Sequence, residues 1–86
     1  MADWQVYIIE CDDDSLYTGI STDAQRRFSE HAVGSPKAAR YFRGRRPLRV
    51  AFLESGHTRS TALKREAAIK RLSRREKLKL IALSGG

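Results

Sequence analysis

The sequence of 86 residues has little of what several classes of protein require. It contains one cysteine, so an intramolecular disulfide framework is excluded. Cys11 lies in an apolar run, which is typical of a small buried side chain. No stretch approaches the ~18 consecutive apolar residues of a membrane-spanning helix. No charged start followed by an apolar run indicates a signal peptide. These absences predict a cytoplasmic protein that does not enter a membrane.

Basic residues are also missing from the start of the chain. Residues 1–21 carry five acids and no Lys or Arg, whereas residues 22–86 carry all 17 basic residues and five acids. The formal net charge is +7. So steep a gradient predicts a polyanionic partner, either nucleic acid or an anionic membrane surface. The density of basic residues favours nucleic acid over a merely solvated surface.

The pattern of apolar and turn-forming residues predicts a single domain of the α+β class. Short runs rich in β-branched and aromatic residues predict strands at 4–11, 15–21 and 48–55. Cap-type residues followed by helix formers predict helices within 24–33, 58–72 and 73–86. The first strand is apolar on both faces, as central strands are. The order β-β-α-loop-β-α-α predicts a three-stranded, mainly antiparallel sheet flanked by helices, with a long basic connection over residues 34–47.

Two tyrosines in the first hairpin are candidate site residues. If the three aspartates 12–14 form the turn, Tyr7 faces Gly19, and Tyr7 and Tyr17 share one face of the sheet. A two-residue turn would instead place the two rings on opposite faces. A glycine inside a strand often marks the close approach of a ligand or of another backbone. The alternative is that both tyrosines simply fill the sheet. The aspartates could also bind a cation, although a turn is favoured.

Charged residues on predicted helices complete the candidate set. Arg27 and His31 are four positions apart, so they share the side of their helix that borders the core. An arginine in such a place either meets an anion or packs its stem and extends its head to water. Glu66 falls in an apolar stripe with Ala62 and Leu63, and an acid there needs an arginine, a hydrogen-bond network or a metal ion. A structural salt bridge remains the alternative.

Taken together, these residues resemble a known nuclease motif. Val6-Tyr7-Ile8 and Tyr17-Thr18-Gly19 resemble the two halves of the GIY-YIG motif. Arg27 follows Tyr17 by ten positions and Glu66 lies in a later helix, as in that family. His31 matches a histidine found after the arginine in many members. The resemblance covers nearly the whole chain, residues 1–86, and the basic segments are similar to those of the small, single-domain bacterial members.

The resemblance implies a metal-dependent endonuclease that hydrolyses phosphodiester bonds in DNA, selects substrates by structure, and acts in DNA repair or processing. The implied catalytic residues are Tyr7, Tyr17, Arg27, His31 and Glu66. Glu66 would hold one Mg²⁺ or Mn²⁺ ion, and Arg27 would grip a phosphate oxygen. One tyrosine, of which Tyr7 is the first candidate, would take a proton from the attacking water in a site whose cations favour its phenolate. Tyr17 and His31 would orient water or phosphate.

The basic connection would follow the nucleic-acid backbone, with DNA a better candidate than RNA. The predicted nucleic-acid-binding residues are Gly19, Lys37, Arg40, Tyr41, Arg43, Arg45 and Arg46. Tyr41 or Phe42 could stack on a base, or could anchor the connection to the core.

One departure from the family pattern supports a different function. Many members have an asparagine near the active site, and this chain contains none. The main alternative is therefore a non-catalytic nucleic-acid-binding module on a degenerate nuclease scaffold. A membrane-surface protein is a third class, but the chain lacks an amphipathic helix with a large aromatic face. The sequence gives no oligomeric state.

Overall fold

Three antiparallel strands form the central sheet in the computed structural model, which describes residues 3–33, 42 and 44–84. Strand β1 (Trp4–Cys11) lies between β2 (Leu16–Ser21) and β3 (Pro47–His57) and pairs with both. The helices are α1 (Ala24–Ala32), α2 (Arg59–Lys70) and α3 (Arg74–Leu83). The predicted fold class, element order and central position of the first strand are confirmed.

A three-residue turn of aspartates sets the register of the β1–β2 hairpin. The amide of Asp14 donates to the carbonyl of Cys11 at 3.0 Å, and the amide of Cys11 donates to the carbonyl of Ser15 at 3.0 Å. Asp14 has a φ of 65°, a left-handed conformation that aspartate tolerates better than most residues. Tyr7 is consequently paired with Gly19, as the odd-length turn predicts.

Side chains that alternate along β1 enter two apolar clusters, one on each face of the sheet. The first cluster packs α2 and α3 on the sheet and contains Val6, Ile8, Ala51, Phe52, Ala62, Ile69 and Ile81. The second packs α1 on the opposite face and contains Tyr7, Ile9, Cys11, Ala24 and Phe42, with Tyr17, Phe28 and Val50 at its margin. Both faces of β1 are therefore buried, which explains why its sequence is apolar without alternation.

Side-chain caps fix where the helices begin. The carboxylate of Asp23 accepts a hydrogen bond from the amide of Arg26 at 3.0 Å, which caps α1. Thr58 caps α2 in a reciprocal capping box. Ser73 and Glu76 form a second capping box at the start of α3. Each such cap contributes about 1 kcal/mol, which matters for helices of this length.

The observed elements differ from the predicted ones in a few places. Strand β3 extends two residues beyond Ser55 and begins one residue earlier, because β1 offers pairing partners along its whole length. Leu63 was placed with Glu66 in the apolar stripe of α2, but it is 41% exposed because the sheet lies under Ala62 and Ile69 instead. Residues 34–41 and 43 of the predicted basic connection lie outside the described residues. Among the helices described, none is long and apolar enough to cross a bilayer.

Candidate active site

The two tyrosines of the hairpin lie side by side on the α1 face of the sheet. Their ring centroids are 6.4 Å apart, with the ring planes inclined at 40°. The register explains this arrangement, because Tyr7 pairs with Gly19 and Tyr17 pairs with Ile9, two positions along β1. Tyr7 is 1% exposed, whereas Tyr17 is partly exposed at the cluster margin. The shared face predicted from the turn length is confirmed.

Gly19 provides the space that the phenol of Tyr7 occupies. A Cβ atom at position 19 would lie 2.6 Å from the hydroxyl oxygen of Tyr7 and 2.8 Å from its Cζ. It would also lie 3.1 Å from Cε2 of Tyr17. The group that approaches the glycine closely is therefore Tyr7 itself, because its side chain lies across position 19. A contact between Gly19 and nucleic acid stays a prediction.

Arg27 reaches the tyrosines from α1. Its Nη1 donates to Oε1 of Glu30 at 2.7 Å, and both side chains are largely buried. Its guanidinium is also within hydrogen-bonding reach of Tyr7. Against the effect of burial, the hydrogen bond with Glu30 and then that with Tyr7 raise the pKa of Arg27. Arg27 is therefore held between a carboxylate and a phenol, with 27% of its side chain exposed. The predicted location on the core side of the helix is confirmed.

His31 and Phe42 support the ring of Tyr17 from behind. The imidazole stacks on Phe42 with centroids 4.2 Å apart and meets Tyr17 edge-on at 5.7 Å. Phe42 lies 4.9 Å from Tyr17. Because Phe42 is 8% exposed, it anchors the connection to the core, which resolves the two roles considered for it. Burial, followed by the charge of Arg27, lowers the pKa of His31, so its imidazole is neutral near pH 7. A catalytic role for His31 stays a prediction.

Glu66 approaches the site from α2, which packs mainly against β2 and β1. It stands between Ala62 and Ile69, both fully buried, and 20% of its own side chain is exposed. Its Oε2 lies 3.5 Å from Nζ of Lys70, one helical turn further on. Its negative charge contributes to raising the pKa of both Tyr7 and Tyr17, so the three groups share one electrostatic environment.

The pKa values of both tyrosines are raised in the protein without a bound cation. Burial, then the neighbouring Tyr17, raises the pKa of Tyr7 from 10.0 to about 12, and Arg27 offsets only part of this rise. Burial likewise raises the pKa of Tyr17. Without a bound cation the site therefore does not favour the phenolate, and the expected preference in the cation-bound site stays a prediction. Loss of hydration at a phenol that is 1% exposed outweighs one partly exposed guanidinium.

The ionisation of Tyr7 can be measured directly. The absorbance of the Tyr7 phenolate is the difference between the wild type and Tyr7→Phe. We expect it to develop near pH 12 in the folded protein and near pH ~10 in denaturant. Since the folded-state pKa is the higher one, the stability contributed by neutral Tyr7 is complete below pH ~10 and is lost as pH rises towards 12. Over this pH range the free energy of unfolding of the wild type should fall by about 3 kcal/mol more than that of Tyr7→Phe. Ionisation of Tyr7 at or below pH ~10 in the folded protein would contradict this.

Most of the predicted nucleic-acid-binding segment lies outside the described residues, namely Lys37, Arg40, Tyr41 and Arg43. The two described arginines contact the acidic turn of the hairpin. Nε of Arg45 lies 2.7 Å from Oδ2 of Asp13, and the backbone amide of Arg46 donates to Oδ1 of Asp12 at 3.1 Å. A hydrogen bond from the side chain of Ser15, followed by the ion pair with Arg45, lowers the pKa of Asp13 to about 2. The turn therefore holds the end of the basic connection against the sheet.

Three contributors to the site were missed in the sequence. Glu30 lies three positions after Arg27, and Lys70 lies four positions after Glu66. Helical side chains pair at these spacings, so both ion pairs could have been predicted from the sequence. Thr18 is a polar residue within an apolar strand, and 4% of it is exposed. Its presence was visible, but its burial depends on where α2 and α3 pack.

Comparison with known proteins agrees with this geometry. A family model of the GIY-YIG catalytic domain matches residues 3–79. The chain is 51% identical over 74 residues to a UPF0213 protein of Cupriavidus necator, covering 86% of this chain and 78% of that relative. It is 49% identical over 75 residues to a UPF0213 protein of Haloquadratum walsbyi, covering 87% of this chain and 82% of that relative.

Two solution NMR structures have a similar fold. The UPF0213 protein BH0048 from Bacillus halodurans superposes with a TM-score of 0.61 at 44% identity, over 98% of this chain and 87% of that one. The protein EF2693 from E. faecalis superposes with a TM-score of 0.62 at 34% identity, over 96% of this chain and 88% of that one.

Proposed function

The chain belongs to the GIY-YIG family of nucleases, and on this basis we propose that it is a metal-dependent endonuclease. It hydrolyses phosphodiester bonds in DNA, selects substrates by structure rather than sequence, and serves DNA repair or processing. The observation that carries the proposal is the placement of Tyr7, Tyr17, Arg27 and Glu66 in one electrostatic environment at the β1–β2 hairpin. A cytoplasmic location also stays a prediction.

Arg27 is the residue suited to hold the reacting phosphate. Its guanidinium has several donors, of which one is used by Glu30. Arginine matches the geometry of phosphate oxygens, and charge-assisted hydrogen bonds of this kind are the strong ones. Glu30 fixes the orientation of the guanidinium on α1, so the phosphate meets a group whose freedom is already reduced.

In this proposal the phenolate of a tyrosine accepts the proton of the attacking water. Tyr7 has Arg27 within hydrogen-bonding reach, while Tyr17 has the greater exposure, so both stay candidates for the base. The raised pKa of Tyr7 means that few molecules carry its phenolate near pH 7. A divalent cation bound together with the substrate would have to lower that pKa for Tyr7 to act, because the substrate phosphates themselves are negative.

Glu66 fits a divalent cation as a single carboxylate ligand. Mg²⁺ commonly binds through one or two carboxylates together with water and substrate phosphates. Within residues 3–33, 42 and 44–84 no three His, Cys, Asp or Glu side chains converge as a metal site, so Glu66 would supply the protein's carboxylate alone. A bound Mg²⁺ or Mn²⁺ would polarise the phosphate and stabilise the leaving oxygen.

A cleavage assay tests the proposal. Flap, branched, single-stranded and duplex DNA of matched sequence are incubated with the protein and Mn²⁺, with Mg²⁺, or with a chelator. We expect cutting of the flap or branched substrates that requires the cation and is lost in Arg27→Gln. Absence of cleavage on every substrate with either cation would reject the nuclease function.

Binding by the basic connection is expected to depend on salt. Charge reversal at Arg43, Arg45 and Arg46 should weaken DNA binding, and each lost phosphate contact should lower the log–log salt slope by about 0.7 to 0.9. Fluorescence anisotropy over a salt series measures this. Asp13→Asn is the control, because it releases Arg45 from its ion pair without removing a cation. If the triple variant binds as the wild type does, the segment is only a solvated surface.

One observation favours the second candidate, a nucleic-acid-binding module without catalytic activity. The pKa of Tyr7 is raised to about 12 rather than lowered, which is the wrong direction for a base near pH 7. The chain also has no asparagine at all. Such a module would bind the same flap and branched DNA with the same salt dependence but leave it intact, so the cleavage assay separates the two functions.

A further inference from the structure

A cleft beside strand β2 continues from the candidate active site. Its volume is about 250 Å³, and its lining residues are Leu16, Tyr17, Thr18, Lys70 and Lys77. Tyr17 belongs to the tyrosine pair, and Lys70 pairs with Glu66 at 3.5 Å. The cleft therefore begins at two residues that already contact the site.

Thr18 is the anomaly within this cleft. The residue is 4% exposed, and in the part of the chain that the structure describes its hydroxyl has no hydrogen-bond partner. A buried polar group without a partner is unfavourable, and valine would avoid that cost at nearly the same volume. The second triplet of the family motif has isoleucine at this position, where this chain has threonine. A ligand that accepts a hydrogen bond from the hydroxyl would satisfy the group.

The other lining residues define the charge of that ligand. Lys70 and Lys77 contribute two ammonium groups, and no acid is among the lining residues. Leu16 and Tyr17 complete the lining and add apolar surface. Cations, a hydroxyl and apolar surface are what a phosphate and its attached sugar need, because lysine binds phosphate as a point charge.

We propose that this cleft binds a phosphate of the nucleic-acid strand next to the one that is cut. Lys77 and Lys70 contact its oxygens, and the Thr18 hydroxyl donates a hydrogen bond to it. The identity of the ligand as a nucleic-acid strand rests on the proposed function. Lys70 is shared between Glu66 and the cleft, so a phosphate in the cleft competes for its ammonium group and leaves the Glu66 carboxylate available.

Binding of a fluorescein-labelled oligothymidylate, measured by anisotropy without divalent cations, tests the inference. Lys77→Gln is expected to weaken binding and to lower the salt slope by about 0.7. Lys79→Gln is the matched control: it removes the same charge from the same helix, but outside the cleft, and should leave the slope unchanged. Thr18→Val is expected to weaken binding about tenfold while raising the unfolding temperature.

Thr18→Val is expected to weaken binding but to raise stability, and this combination separates a ligand contact from a structural role. Loss of both binding and stability in this variant would overturn the inference, as would binding of all three variants at wild-type strength. Inorganic phosphate is the competitor, and competition by it at concentrations comparable to those of the oligonucleotide would overturn the assignment to a nucleic-acid strand. If nothing is cleaved but Thr18→Val and Lys77→Gln lose binding, the cleft is supported and the nuclease function fails.

Discussion

Glu66→Gln is expected to abolish cation-dependent cleavage and to leave the fold intact. Glutamine keeps the shape and volume of the side chain but removes the charge that a hard cation requires. Glu66 is the carboxylate whose charge reaches both tyrosines, so no neighbouring acid on α2 replaces it there. Cleavage of the preferred flap or branched DNA with Mn²⁺ is the measurement, and the rate should fall to that of a chelator-treated sample.

The stability of this variant distinguishes the metal role from a structural one. The partner of Glu66 is Lys70, whose side chain is 56% exposed. Such a pair contributes at most about 1 kcal/mol. Loss of a buried partner of Arg27, the structural alternative, would instead cost about 3 to 5 kcal/mol. Arg27 has Glu30 as its acidic partner, so the smaller loss is expected. DNA binding without cations should be unchanged or tighter, because a negative charge near phosphates is removed.

Glu54→Gln is the matched control for Glu66→Gln. Glu54 accepts from Nε of Arg65 at 3.1 Å and contacts Nε2 of His57 at 2.6 Å, and these partners lower its pKa. This substitution should reduce stability but leave cleavage in place. If Glu66→Gln cleaves at the wild-type rate, Glu66 is not the metal ligand. If both variants lose cleavage in proportion to their stability, the loss reflects unfolding.

Gly19→Ala is expected to destabilise the protein by about 1 to 3 kcal/mol. The added methyl group would stand 2.6 Å from the hydroxyl oxygen of Tyr7, inside any normal contact distance. Tyr7 is buried beneath α1, so its ring can yield only by displacing neighbours. Replacing glycine by alanine at a compatible strand position ordinarily stabilises by about 0.4 to 1 kcal/mol, so the sign of the change is itself informative. Denaturant unfolding gives the value.

A double-mutant cycle assigns this cost to the phenol. Tyr7→Phe removes the oxygen nearest to the added methyl group but leaves Cζ at 2.8 Å. Gly19→Ala should therefore cost less in the Tyr7→Phe background, with a coupling of about 0.5 to 3 kcal/mol. Additive effects would show that the methyl group meets a different neighbour. A more stable Gly19→Ala variant would mean that Tyr7 does not lie across position 19.

Local sequence signals were enough to predict most of the fold. The three aspartates defined the turn, and the turn length placed Tyr7 opposite Gly19. Ser73, with Glu76 three positions later, is typical of a helix start and indicates where α3 begins. The ends of β3 could not be predicted, because they depend on how far β1 offers pairing partners rather than on propensity. The exposure of Leu63 depends equally on tertiary packing.

The candidate site was predictable in its members but not in its electrostatics. Arg27 and Glu66 were identified from charge placed on apolar helix faces. Their ion-pair partners were not identified, although Glu30 and Lys70 lie at helical spacing from them. The pKa of Tyr7 depends on a balance between burial and a single cation. Predicting that pKa requires the burial of the Tyr7 ring and its distance to Arg27, and a sequence pattern contains neither.

The central position of β1 has a consequence for how fast the chain folds. Its pairing with β2 closes only a short turn, and hairpins form in ~1–10 μs. Its pairing with β3 joins residues far apart in sequence, as at Cys11 and Pro47. The entropy of closing that long loop is lost before the stabilising contacts form, and this slows folding. We expect the β1–β3 ladder to limit the rate, so that in stopped-flow refolding Phe52→Ala slows folding more than Leu16→Ala.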